Sequence, residues 1–112
     1  MSSQKKAVVA IGGNSLVKDK AHQSIQDQYK AVTETTKHIT GMIEQGWTVA
    51  IAHGNGPQVG FVLRRSEVAF KTEGVPEVPL EYCGADTQGA TGYMLQQNLY
   101  NEFLARGIDK NV

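Results

Sequence analysis

The sequence has 112 residues, and its 11 lysines and arginines balance 11 aspartates and glutamates to a formal charge of zero. Balanced charge gives no basic footprint for nucleic acid and no polybasic signal for anionic lipid, and a composition of 40% hydrophobic and 20% charged residues belongs to a folded chain, not a disordered one. No apolar run approaches the ~18–20 residues of a membrane span. The opening Met1-Ser2-Ser3-Gln4-Lys5-Lys6 leads into five apolar residues, too few for a secretory leader. The single cysteine, Cys83, cannot close an internal disulfide, which fits a reducing cytoplasm.

Lys6-Ala7-Val8-Val9-Ala10-Ile11 is an unbroken apolar run after a charged start, stopped by Gly12-Gly13-Asn14. A continuous run ended by glycines predicts a strand of a parallel sheet, buried on both faces. Ser24 and Asp27 have the spacing of an N-terminal capping box. Ile25, Tyr29, Val32, Ile39 and Met42/Ile43 then recur at helical spacing up to Gly46, a glycine C-terminal signal. Thr33, Thr35, Thr36 and Thr40 lower the propensity of that helix. Trp47-Thr48-Val49-Ala50-Ile51-Ala52-His53 is a second buried-strand run, closed by Gly54-Asn55-Gly56. Strand, helix and strand in this order predict a right-handed parallel crossover.

Pro57 stands where the first helical position should be, and Val59, Val62/Leu63 and Ala69/Phe70 form the apolar stripe of a helix ended by Gly74 and Pro76. Glu73 to Glu81 reads as a surface excursion. Ala85, Gly89, Gly92, Leu95, Leu99 and Phe103 step by three or four, predicting a third helix that stops at Gly107. Ile108 to Val112 looks like the approach to a third strand. Two parallel strands and three helices do not complete a layered α/β sheet, so the expectation is an N-terminal fragment of a larger protein.

The two glycine loops carry the chemical information. Both fall at the carboxyl ends of parallel strands, where open α/β sheets bind ligands. Glycine lets the backbone pass close to a ligand, and exposed N–H groups with a helix start behind them make an anion cradle. Asn14 and Asn55 add neutral donors suited to phosphoryl or carboxylate oxygens. The plain alternative is a pair of tight strand-to-helix turns; two glycine–asparagine loops at equivalent strand ends favour the cradle. Neither loop is followed by Gly-Lys-Ser/Thr, so this is no Walker-type P-loop. Gly54-x-Gly56-x-x-x-Gly60 has one residue too many for a dinucleotide fingerprint, and the distance at which an acidic strand end is expected falls in the Glu73–Glu77 excursion.

Three motifs together resemble carbamate kinase: Ala7 through Asn14-Ser15-Leu16; His53-Gly54-Asn55-Gly56-Pro57-Gln58-Val59-Gly60; and Pro79-Leu80-Glu81-Tyr82-Cys83-Gly84-Ala85 through Gln88-Gly89 and Gly92 to Gln97. The resemblance covers nearly the whole chain. It implies the amino acid kinase fold, a three-layer α/β/α sandwich with a mainly parallel sheet. Residues 1–112 would be the N-terminal part of the carbamate- or carbamoyl-phosphate-binding half, with the nucleotide-binding half absent. The implied reaction is reversible phosphoryl transfer between carbamoyl phosphate and ADP, giving ATP and carbamate with Mg²⁺, in a cytoplasmic homodimer serving arginine metabolism. Gly12, Gly13 and Asn14 match the loop beside the transferred phosphoryl group, and Gly54, Asn55 and Gly56 match the loop that grips carbamoyl phosphate. Related acylglutamate kinases place a lysine two residues before the first loop glycine; here that position is Ala10. Neither loop holds a charged residue, so the catalytic cations and any metal carboxylate are expected beyond residue 112. Another acyl-phosphate-forming kinase of the same fold, or a truncated, non-catalytic anion-binding module, are the alternatives.

Several conspicuous residues read more simply as structure. His53 is expected to be packed and hydrogen-bonded more than ligating, His22 and His38 solvated, Cys83 an inert thiol, Lys18, Lys20 and Arg64-Arg65 solvated, and Trp47 core or rim. The face of Ala85, Gly89, Gly92, Leu95, Leu99 and Phe103 would pack on the chain's own sheet or, as the resemblance implies, across the two-fold axis of a dimer.

Overall fold

The computed structural model describes residues 4–112; Met1-Ser2-Ser3, part of the opening weighed as a leader, lies outside the described residues. In chain order the elements are β1 (Lys5–Ile11), α1 (Gly13–Leu16), α2 (Ile25–Glu44), β2 (Trp47–His53), α3 (Gly56–Glu73) and α4 (Leu80–Arg106). β1 and β2 pair in parallel, with Lys5 opposite Trp47 and Ile11 opposite His53. The register therefore ends both strands at the same level, and both glycine loops leave from there.

The core forms on one side of this sheet. Ile11, Leu16, Val32, Ile39, Met94, Leu95, Leu99 and Phe103 make one buried cluster, with Val9, Val49 and Ile51 packed against it. The odd-numbered residues of both strands thus face α2 and α4. The other face is open: Val8 is 75% exposed, and Ala10, Ala50 and Ala52 are exposed beside it. This corrects the expectation of strands buried on both faces. The apolar run is there, but among the described residues helices cover one face only.

α2 opens on the expected capping box. The Ser24 hydroxyl donates to the Asp27 carboxylate (2.7 Å) and accepts the Asp27 N–H (3.0 Å), while the Ser24 N–H donates to the same carboxylate (3.2 Å). Its threonines do not break it, because Thr33, Thr35, Thr36 and Thr40 each donate to the carbonyl four residues back, at 2.7–3.1 Å. That bond lets Thr36 and Thr40 be fully buried without an orphaned hydroxyl.

α4 starts at Leu80, earlier than the periodicity from Ala85 suggests. Pro79 has the extended conformation of an N-cap, and Glu81 in the first turn complements the helix dipole. The excursion shrinks to residues 74–79. α4 ends on Gly107 at φ +68°, and the Ile108 N–H returns 2.8 Å to the Phe103 carbonyl. This closure needs a left-handed residue, which glycine supplies. Residues 108–112 are not a strand here, although Ile108 packs on the core.

Leu95, Leu99 and Phe103 lie in the chain's own core, Leu99 at 2% exposure, so this half of the face is not free for a second subunit. Only Ala85 and Gly89 on that face are exposed. The reading that placed Leu99 at a dimer contact is corrected accordingly. The exposed aromatic side chains of α4 are Tyr82, Tyr93 and Tyr100.

Candidate functional site

The two glycine loops touch. A β-carbon on Gly13 would stand 2.8 Å from Gln58 Oε1, 2.9 Å from Pro57 Cδ and 3.1 Å from the Gly56 nitrogen. One on Gly54 would stand 3.3 Å from the Gly13 nitrogen. The rigid Pro57 ring at 2.9 Å leaves a β-carbon no room unless the loops shift, so their close approach favours glycine at residue 13. Gly12 and Gly56 differ. A β-carbon on Gly12 would meet only Ser15 Oγ at 3.7 Å, and one on Gly56 would meet nothing within 4 Å. Packing within the chain does not demand glycine at those two positions; close approach of a ligand would.

The N–H of Gly54 donates to the Ile11 carbonyl (2.8 Å), continuing the strand ladder, and is therefore not offered to a ligand. Behind loop two stands α3, an 18-residue helix with Pro57 in its first turn and Asn55 at its N-cap position. Asn55 does not cap it. Its Nδ2 donates to Thr87 Oγ1 on α4 (2.9 Å), whose hydroxyl donates in turn to the Gly84 carbonyl (2.8 Å). The first N–H groups of α3 thus lack a side-chain cap and supply partial positive charge at the loop. After loop one comes the short α1, whose Gly12 cap position likewise makes no side-chain bond.

Two residues that sequence reasoning passed over join these parts. Gln58, 7% exposed in the first turn of α3, donates from Nε2 to the Gly13 carbonyl (3.2 Å) and to Gln28 Oε1 on α2 (3.3 Å). Thr87, 3% exposed, orients Asn55. Each is polar in a helical stretch, and the only sequence signal is that Gln58 lies within the second motif and Thr87 within the third.

An open cleft of about 1390 Å³ runs between β2 and α4, past Gly84, Gln88 and Gly92 to His53 and Asn55. It reaches loop two and not loop one. His53 is half-buried, with Nδ1 3.1 Å from the Gly54 carbonyl; a carbonyl only accepts, so Nδ1 carries the proton and the ring braces the loop. Cys83 is fully buried, with Sγ near the Val78 carbonyl. Lys18 is held by Glu34 at 3.6 Å, and Arg64 by Glu67 at 3.3 Å, on exposed surface. His22 is paired with Asp19, and that contact holds the Asp19 carboxyl below its ordinary value. Among the described residues no three His, Cys, Asp or Glu side chains gather as a metal set, and no helix is long and apolar enough to cross a membrane.

No family model matches the chain. Curated relatives do. The carbamate kinase-like protein YahI of Escherichia coli (strain K12) is 50% identical over 105 residues, 94% of this chain and 33% of the relative. The carbamate kinase of Pyrococcus furiosus is 41% identical over 108 residues, 96% of this chain and 34% of its own length. Among solved structures, carbamate kinase from Giardia lamblia bound to AMP-PNP superposes with a TM-score of 0.88 at 36% identity, over 99% of this chain and 38% of that one. The same enzyme bound to citric acid superposes at 0.85. Parallel strands that deliver two interlocked glycine loops to one end are, in this company, the α/β amino acid kinase fold. More narrowly, the chain corresponds to an N-terminal region of carbamate kinase. It spans about a third of the length of the curated relatives it matches.

Proposed function

We propose that residues 1–112 form the N-terminal part of the substrate-binding half of a carbamate kinase, in which a phosphoryl group passes reversibly between carbamoyl phosphate and ADP to give ATP and carbamate. One observation carries this reading: two glycine loops in contact at the same end of two parallel strands, with the uncapped start of an 18-residue helix behind them. Anionic oxygens suit such a place, because backbone donors are fixed there before the ligand arrives. Gly12, Gly13 and Asn14 would lie along the transferred phosphoryl group. Asn55 and Gly56 would hold the carbamoyl phosphate, with Gly54 keeping the two loops together. The sequence match to a carbamate kinase over most of this chain supports the substrate class.

In the transfer the bond between phosphorus and the carbamate oxygen breaks, and one to a terminal oxygen of ADP forms. Such a step depends on position and electrostatics far more than on proton movement, which suits loops free of charged side chains. The cations that balance the moving charge would come from outside these residues. Mg²⁺ belongs to the family chemistry, but the neutral donors of these loops do not fit it, and among the described residues no carboxylate set gathers to hold it. The adenine nucleotide, the homodimer, the cytoplasm and a place in arginine metabolism belong to the same proposal.

The test is ATP formation from ADP and carbamoyl phosphate. A full-length enzyme containing this segment should catalyse it, and the 112-residue chain alone should not exceed a mock preparation. Activity of the short chain would overturn the half-site reading; an inactive full-length enzyme would overturn the assigned reaction.

A further inference from the structure

Gln58 stands where both loops and a third element meet. It lies two residues beyond Gly56, and its side chain turns back beneath loop one. There Nε2 serves two acceptors, the Gly13 carbonyl at 3.2 Å and Gln28 Oε1 at 3.3 Å. Gln28, itself 6% exposed, donates to the Gln23 carbonyl at 3.3 Å. A line of amides therefore runs from the exposed segment before α2, through buried Gln28 on α2, to the start of α3 and into loop one.

The other atom of the Gln58 amide is more telling. Oε1 is buried and meets no donor among the described residues, and it occupies the space that a β-carbon on residue 13 would need. An unpaired buried acceptor works against folding. A methionine would fill the same space without it. What methionine lacks is the N–H pair that joins Gly13 to Gln28. The Gly13 carbonyl also accepts the Val17 N–H at 3.3 Å, so Gln58 is not needed merely to satisfy that oxygen. The amide at residue 58 serves geometry at the expense of stability, as buried polar groups at functional sites do.

We infer that Gln58 is a positioning residue: it fixes the spacing of the two glycine loops, and through it the geometry in which they hold the substrate anion. This inference rests on the phosphoryl-transfer reading of the loops.

The test is Gln58→Met in the full-length enzyme, with three readouts. The substitution removes the unpaired Oε1 and leaves Gln28 Oε1 without its donor, so the thermal midpoint should stay close to wild type. Kinetics should split by substrate, with kcat/KM for carbamoyl phosphate falling about tenfold or more and KM for ADP unchanged. Hydrogen exchange of backbone amides in residues 11–17 should be faster than in wild type. Wild-type kinetics with unchanged exchange would overturn the inference. So would loss of folding, or equal losses for both substrates with a collapsed midpoint, because those mark a merely structural residue. A wild-type enzyme without phosphotransfer would sink the reaction assignment instead; faster exchange on Gln58→Met would then still support the role in the loops, and unchanged exchange would overturn it.

Discussion

Two of the helices begin with a residue type that nature favours as a cap, and they use it in opposite ways. At the start of α2, Ser24 and Asp27 satisfy each other's backbone in a complete capping box on exposed surface. At the start of α3, Asn55 is as good a capping residue in principle, yet its amide is drawn off to Thr87 and the helix start is left uncapped. One helix is closed for stability. The other is kept open at the point where two glycine loops converge. A free helix start costs stability unless something fills it, and an anion is what its N–H groups would accept.

The largest effect should come from closing the space between the loops. Gly13→Ala places a methyl group against Gln58, Pro57 and the Gly56 backbone at 2.8–3.1 Å. It should abolish carbamoyl phosphate turnover in the full-length enzyme and destabilise it by about 1–3 kcal/mol through overpacking. Gly56→Ala is the matched control, since its β-carbon meets nothing. It should fold as wild type, and a raised KM for carbamoyl phosphate would place the ligand against residue 56. An active, stable Gly13→Ala enzyme would show that the loops do not need their close contact.

Next is Asn55→Ala, expected to lower turnover by about 10²–10³, the usual loss for one oriented donor. Because Asn55 makes no cap bond, its removal should cost stability only through the lost Thr87 hydrogen bond, about 1 kcal/mol. Thr87→Val sharpens the point. It frees the Asn55 amide to swing onto the α3 backbone, so stability should hold or rise while carbamoyl phosphate binding weakens. A variant that loses stability and keeps its kinetics would make Thr87–Asn55 a packing contact and nothing more.

Much of this arrangement is legible in the sequence for definite reasons. Two apolar runs ended by glycines gave the strands almost to the residue, and Ser24 with Asp27 gave the start of α2. The family resemblance, carried by the two glycine loops and the segment from Pro79, agrees with the relatives and with the fold. What escaped is what depends on neighbours distant in the chain. An apolar run cannot tell which sheet face will be covered, so Val8 and Ala10 read as buried and are exposed. Small residues at helical spacing cannot tell one's own core from a partner, and Leu99 fits either until the fold buries it beside Ile39 and Phe103. Gln58 and Thr87 carry no periodic signal; their partners Gly13 and Asn55 lie 45 and 32 residues away.

The smallest effect belongs to the closed helix start. Ser24→Ala removes both the acceptor for the Asp27 N–H and the hydroxyl that donates to the Asp27 carboxylate. It should lower the thermal midpoint of the full-length enzyme by a few degrees, the scale of a lost cap, and leave both substrates' KM unchanged. The effect has a pH signature. The Ser24 hydroxyl bond, foremost among its causes, holds the Asp27 carboxyl below its ordinary value. A carboxyl lowered in the folded state contributes stability that is present above its unfolded pKa, near 4, and is lost as pH falls through the folded value. The gap in midpoint between wild type and Ser24→Ala should therefore be full at neutral pH and shrink below about pH 4. A gap that stays constant through that range would detach the Asp27 carboxylate from the cap. A change in carbamoyl phosphate kinetics on Ser24→Ala would break the contrast itself, because the start of α2 would then be coupled to the site that the start of α3 leaves open.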